Sequence, residues 1–128
     1  MKVHGREIKF LKTVGAVCRI SELCPDDDIQ NLPAFMSNGT SAEVTLARAA
    51  FVVAMNEGYE ESKVYEEQLK GKEYTPNPLT IDELLLISAD DLYALFGQAC
   101  SAWAGEEPTV EVEEPKKKVR NKKAVTSD

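Results

Sequence analysis

Few side chains in this sequence carry the chemistry that catalysis or metal binding demands. Their spacing assigns most of them to structural work. The only histidine is His4, which stands beside Gly5 in a polar stretch, and the sequence implies no acid–base partner for it. Of the three cysteines, Cys18 and Cys24 are six residues apart, not a common zinc spacing, and Cys100 is distant from both. They read as small buried hydrophobes, the usual state of a free cysteine, with metal binding as the alternative. The run Asp26-Asp27-Asp28 raises calcium. However, the twelve-residue loop, with its spaced oxygen ligands, its glycine and its terminal glutamate, is absent. Asp82/Glu83 and Asp90/Asp91 could serve as paired carboxylates, but each pair falls in the first turn of an expected helix, where capping and the helix dipole account for it. No Gly-x-Ser-x-Gly elbow, phosphate-binding loop, dinucleotide fingerprint or paired-cysteine motif is present. The expectation is a binding protein, without cofactor or metal, rather than an enzyme.

The elements that hold these residues follow from periodicity and punctuation. Lys2-Val3, the turn His4-Gly5, and the alternation of Arg6 to Phe10 read as a hairpin. A two-stranded ribbon is marginal alone, so it must pack on helices. A helix is expected from Thr13, with Val14, Val17, Cys18 and Ser21 on one face and Ile20 and Leu23 beside it. Gly15 suggests close approach by another element, and Pro25 ends the helix. The three aspartates then cap a short segment, Ile29 to Met36. Thr40-Ser41-Ala42-Glu43 fits a capping box. The helix it opens is apolar nearly all round, from Val44 through Leu46, Phe51 and Val52 to Met55, and should be buried on most sides. Gly58 is the expected stop or bend, with Tyr59 to Leu69 as a more exposed continuation. Pro76 and Pro78 exclude helix from the following linker. Thr80-Ile81-Asp82-Glu83 is a second capping box, opening a short helix through Leu84, Leu85, Leu86 and Ile87. Ser88 caps the last helix, whose Leu92, Leu95, Phe96, Ala99 and Trp103 form an amphipathic stripe ended by Gly105.

Hydrophobic residues make up 43% of the 128, enough for a core, and no apolar run is long enough to cross a membrane as a helix. The opening residues lack the apolar stretch of a secretory signal, and the cysteine count is odd. Both point to a cytoplasm. Residues 1–104 carry 16 acids against nine bases, a balance of −7, which repels a phosphate backbone. Neither nucleic acid nor membrane is expected as a partner. Residues 105–128 are neutral overall but divide into an acidic and a basic block. From Glu106 the chain has too little apolar surface to offset ordering entropy. The expected fold class is mainly α, formally α+β: a compact helical domain over residues 1–104 with a short N-terminal β-hairpin, then a disordered charged tail over 105–128.

Two stretches carry a family likeness. Gly5-Arg6-Glu7-Ile8-Lys9-Phe10, followed by Thr13-Val14-Gly15-Ala16, resembles the start of tail assembly chaperones of long-tailed phages and prophages. Pro78-Leu79-Thr80-Ile81-Asp82-Glu83-Leu84-Leu85, with Asp90-Asp91-Leu92-Tyr93-Ala94-Leu95-Phe96, resembles their closing helices. The likeness spans most of residues 1–104 and rests on a pattern rather than on an invariant signature. It implies binding of the long, helical tape measure protein in the host cytoplasm, protecting its apolar surface until tail tube protein displaces the chaperone. The expected mode is a helix laid in an apolar groove, with avidity from repeated weak contacts.

The resemblance also implies a longer product, made by a translational frameshift, whose extra domain recruits tail tube protein. Lysine codons are adenine-rich, so Lys116, Lys117 and Lys118, or Lys122 and Lys123, are candidate positions for a slippery run. This chain would then be the shorter, unshifted product. A solvated charge run, or a nuclear-localisation signal, are the other readings of these lysines. Self-association into rings or arrays fits the family but is not visibly encoded, and no motif marks a tape measure contact. Two rival classes stand beside the chaperone. A small phage-encoded regulator would need a basic recognition helix, which residues 1–104 lack. A structural tail-completion protein is poorly separated from a chaperone by sequence.

Overall fold

The chain enters the fold through a turn that needs left-handed backbone. His4 and Gly5 both have positive φ, 49° and 86°, the combination that lets a two-residue hairpin close with the twist of its strands. The structure, a computed structural model, describes residues 1–105. Strand β1 (Lys2–Val3) pairs antiparallel with β2 (Arg6–Glu7), Lys2 opposite Glu7 and Val3 opposite Arg6. Regular pairing was expected to run to Phe10 and stops at Glu7. The alternation continues past it: Ile8 is buried, Lys9 exposed and Phe10 half-buried. Val3 and Ile8 put the hairpin's apolar face into the core.

The helices are α1 (Val14–Leu23), α2 (Leu32–Phe35), α3 (Ser41–Leu69), α4 (Ile81–Leu84) and α5 (Ala89–Trp103). The architecture is mainly helical with a two-stranded hairpin at its start, as the sequence predicts. The caps foreseen at Thr40, Thr80 and Ser88 are made. Thr40 and Thr80 accept from the N–H groups of Glu43 and Glu83, both at 3.1 Å, and the glutamates reach back to the threonine N–H groups. Ser88 accepts from Asp91 N–H at 3.1 Å. Helix α3 is the axis on which the rest packs. Its Phe51, Val52, Ala54 and Met55 are buried, and α1 and α5 lie against it.

Gly58 does not stop α3, which runs unbroken through it. It is instead the point of closest approach. A Cβ there would sit 2.5 Å from the Leu11 carbonyl oxygen, 3.0 Å from Thr13 Oγ1 and 3.1 Å from Ala16 Cβ. The crossing expected at Gly15 is therefore made at Gly58, while a Cβ at Gly15 would meet only ordinary contacts. This crossing also sets the rotation of α1. Its buried residues are Ala16 and Ile20, followed by Cys24 beyond its end, whereas Val14 is 82% exposed and Cys18 exposed. Of the expected face, Val14 and Cys18 are thus exposed, and Val17 and Ser21 are only half-buried. Only the small Ala16 can face Gly58 at that distance, and close packing outweighs the larger apolar area of the other face. On the outside of the crossing Arg19 bridges to Glu57 at 3.7 Å and pairs with Glu61.

Two buried polar residues of α3, one turn apart, fix the extended segments. Asn56 is 1% exposed. Its Nδ2 donates to the Lys9 carbonyl at 2.9 Å, and its Oδ1 accepts from Leu79 N–H at 2.7 Å. Glu60 Oε1 accepts from Tyr74 OH and from Asn77 N–H, each at 2.9 Å. The proline-bearing linker has no helical or sheet bonds of its own, so these side chains supply partners its backbone needs. The linker thereby delivers Leu79, which is buried, into the core.

Candidate functional site

The residues with reactive potential are mostly held in structural roles. Glu83 closes the α4 capping box and also takes Arg6, whose Nη2 lies 2.6 Å from both carboxylate oxygens. His4 Nδ1 stands 3.7 Å from Glu83 Oε2, so hairpin and α4 meet at one carboxylate. The Arg6 guanidinium beside Glu83 holds its carboxyl below the ordinary range. That is the opposite of what a general acid near neutral pH requires. Asp82, Asp90 and Asp91 are exposed first-turn residues of α4 and α5.

The aspartate run behaves as a turn and a cap. Asp26 and Asp27 adopt positive φ, 60° and 52°, and Asp28 accepts from Gln30 N–H at 2.9 Å. Among the described residues, no three histidine, cysteine or acidic side chains are grouped to hold a metal ion. The cysteines are free and differ in setting. Cys24 is buried and Cys100 half-buried, and burial pushes both thiols up from their usual pKa. Cys18 is exposed, which corrects the expectation that all three are buried; it follows from the rotation of α1. Lys116, Lys117, Lys118, Lys122 and Lys123 lie outside the described residues, as does the expected tail disorder from Glu106.

The feature that can do work is an apolar groove of about 630 Å³ between α2 and the first half of α3. Ala34 and Phe35 of α2 line one wall, and Leu46 and Ala47 of α3 the other. Pro25, Asn38, Gly39 and Glu43 also line it. The groove exists because α3 has more apolar surface than its neighbours cover. Helix α5 takes the side bearing Phe51, whose ring meets Phe96 at 5.9 Å and Trp103 at 5.6 Å between centroids. Helix α1 takes the side bearing Gly58. Across the groove from the first half of α3 stands α2, a single turn that packs on α1. Leu46, expected to be buried, is therefore 46% exposed. Arg48 ties the two walls together: its Nε donates to the Met36 carbonyl at 3.0 Å, and its guanidinium lies over the Phe96 ring.

A second apolar surface lies at the α4–α5 corner. The short helix ends at Leu84 rather than continuing through Ile87, leaving Leu85 and Leu86 in a turn, 60% and 78% exposed. Sequence reasoning singled out neither surface. The available signal was an apolar belt on every side of Val44–Met55 with too few long helices to cover it. No protein-family model, curated protein or solved structure matches the chain.

Proposed function

We propose that this chain is a tail assembly chaperone of a long-tailed phage or prophage, which holds the tape measure protein in the host cytoplasm while the tail is built. The reading joins the resemblance in residues 5–16 and 78–96 to one structural observation, the open apolar groove between α2 and α3. A tape measure protein is a long helical chain whose apolar stripes aggregate until tube protein covers them. An apolar groove can take one stretch of such a stripe, burying side chains at about 25 cal/mol per Å². Each site is small, so useful affinity comes from many copies along one partner. The chemistry is reversible association alone. Tail tube protein would be recruited by the longer frameshift product, of which this chain is the unshifted form.

The test is co-expression with the tape measure protein of the same genome. The wild-type chain should keep it soluble and co-elute with it, and Leu46→Lys, a change at a half-exposed wall residue, should lose the complex while remaining folded. A tape measure protein that is equally insoluble with and without the chain would overturn the proposal. Incorporation of the chain into finished virions would favour a structural tail protein instead.

A further inference from the structure

We infer that the acidic segment after α5, Glu106 to Glu114, folds back onto the outer face of the N-terminal hairpin and covers its lysines. The inference does not depend on the chaperone reading. It starts from an uneven distribution of charge. Residues 1–12 carry four bases, Lys2, Arg6, Lys9 and Lys12, against the single acid Glu7. Residues 13–104 carry five bases against 15 acids. The N-terminal stretch is thus basic on an otherwise acidic body, and an acidic segment is attracted there and repelled by the rest.

The hairpin gathers these charges on one face. Val3 and Ile8 point into the core. Lys2 pairs across the strands with Glu7, and Lys9 lies two residues beyond it, so all three belong to the opposite face and all are exposed. The only acid there is already engaged, because the Met1 ammonium meets Glu7 at 2.6 Å. Arg6 is held by Glu83. Lys2 and Lys9 enter no ion pair among the described residues. Lys12 is exposed, with Nζ 4.1 Å from the centre of the Trp103 ring, a contact that leaves its charge uncancelled.

The same contact places the start of the acidic segment. Trp103 is the last residue of α5, and Glu106 follows it by three positions. At about 3.5 Å per residue, Glu106 to Glu114 can lie from about 10 to about 40 Å along the chain from Trp103, and Lys9 at most about 11 Å from Lys12. Residues 106–114 hold five acids, Glu106, Glu107, Glu111, Glu113 and Glu114, and no base. Contacts between surface charges are individually weak but need no packed core, so the shortage of apolar side chains past Glu106 does not oppose them. The short tether supplies an effective concentration in the millimolar range, which favours the chain's own segment over that of a second copy. The basic block from Lys116 to Lys123 has the wrong sign for this face. Other anions reaching the hairpin must displace the acidic segment first.

The experiment compares the full chain with E106Q/E107Q/E111Q/E113Q/E114Q, which leaves residues 1–105 unchanged. In nitrogen-15 spectra at low salt, the backbone amide signals of Lys2, Glu7, Lys9 and Lys12 should differ between the two chains. The difference should vanish at high salt, because screening shortens from about 10 Å at 0.1 M to about 3 Å at 1 M. K2Q/K9Q changes two exposed side chains without ion-pair partners and should shift the signals of Glu111 and Glu113. Carbodiimide, which joins a lysine amine to a carboxylate with loss of water, should link Glu106–Glu114 to Lys2, Lys9 or Lys12 within one chain. Such links should outnumber those to Lys63, Lys70 and Lys72 at least about fivefold at low salt.

Identical signals of Lys2, Glu7, Lys9 and Lys12 in the two chains overturn the inference. So do links spread evenly over the six body lysines, or links found only between chains. Links confined to Lys116–Lys123 also overturn it, since the acidic segment then pairs with its basic neighbour instead.

Discussion

Removal of the Asn56 side chain should be among the most damaging single changes outside the apolar core. Asn56→Ala deletes the donor to the Lys9 carbonyl and the acceptor of Leu79 N–H. Each group left without a partner costs about 1–3 kcal/mol. The Leu79 N–H lies in the buried interior and stands at the upper end of that range. The Lys9 carbonyl is only part-buried and stands at the lower end. The sum is about 3–4 kcal/mol, a large share of the roughly 5–15 kcal/mol that holds a domain together. Urea unfolding followed by the fluorescence of Trp103, the only tryptophan and packed on Phe51, reads this as a lower midpoint at unchanged slope. Asn56→Asp refines the test. It keeps the acceptor for Leu79 but turns a carboxylate oxygen toward the Lys9 carbonyl, unless it is protonated. Burial raises its folded pKa above the unfolded value of about 4, so its stability is highest at low pH and falls as pH rises through the folded value. A loss below about 1 kcal/mol for N56A, no greater than for the exposed control Gln30→Ala, would refute the reasoning. So would a pH-independent N56D.

Other expectations concern packing and titration. Gly58→Ala places a methyl group 2.5 Å from the Leu11 carbonyl oxygen and should destabilise by about 1–3 kcal/mol despite alanine's helix propensity. Gly97→Ala, with nothing within 4 Å of the added Cβ in mid-α5, should stabilise by about 1 kcal/mol in the same urea assay. Burial, then the hydrogen bond to Glu60, raises the Tyr74 phenol to about 12. Because the folded state keeps that proton longer, the associated stability is intact below about 10 and lost as pH rises toward 12. Ultraviolet titration should show the late phenol of Tyr74, moved earlier by Glu60→Ala. Glu83, lowered first by Arg6, works in the other direction: its contribution is present above the ordinary 4.5 and lost as pH falls through the depressed value. Amide exchange of Val3 and Ile8 should accelerate in acid before that of α3, and Arg6→Gln should abolish the difference.

What the sequence determined by itself was local. Caps at Thr40, Thr80 and Ser88 and the turn at His4-Gly5 were legible because each involves residues within a few positions of one another. The stripe of α5 was legible because a single face of it meets the core. Tertiary structure alone decided the rest. The rotation of α1 follows from a crossing with Gly58 more than forty residues away, which no pattern within α1 reports. The structural roles of Asn56 and Glu60 depend on where a linker returns, and in sequence they look like ordinary polar residues of a long helix. The groove depends on something more remote still, the apolar flank of α3 that neither α1 nor α5 is placed to cover. A sequence shows how much surface wants burial; only the arrangement of neighbours decides which part of it stays open, because packing is shared between elements.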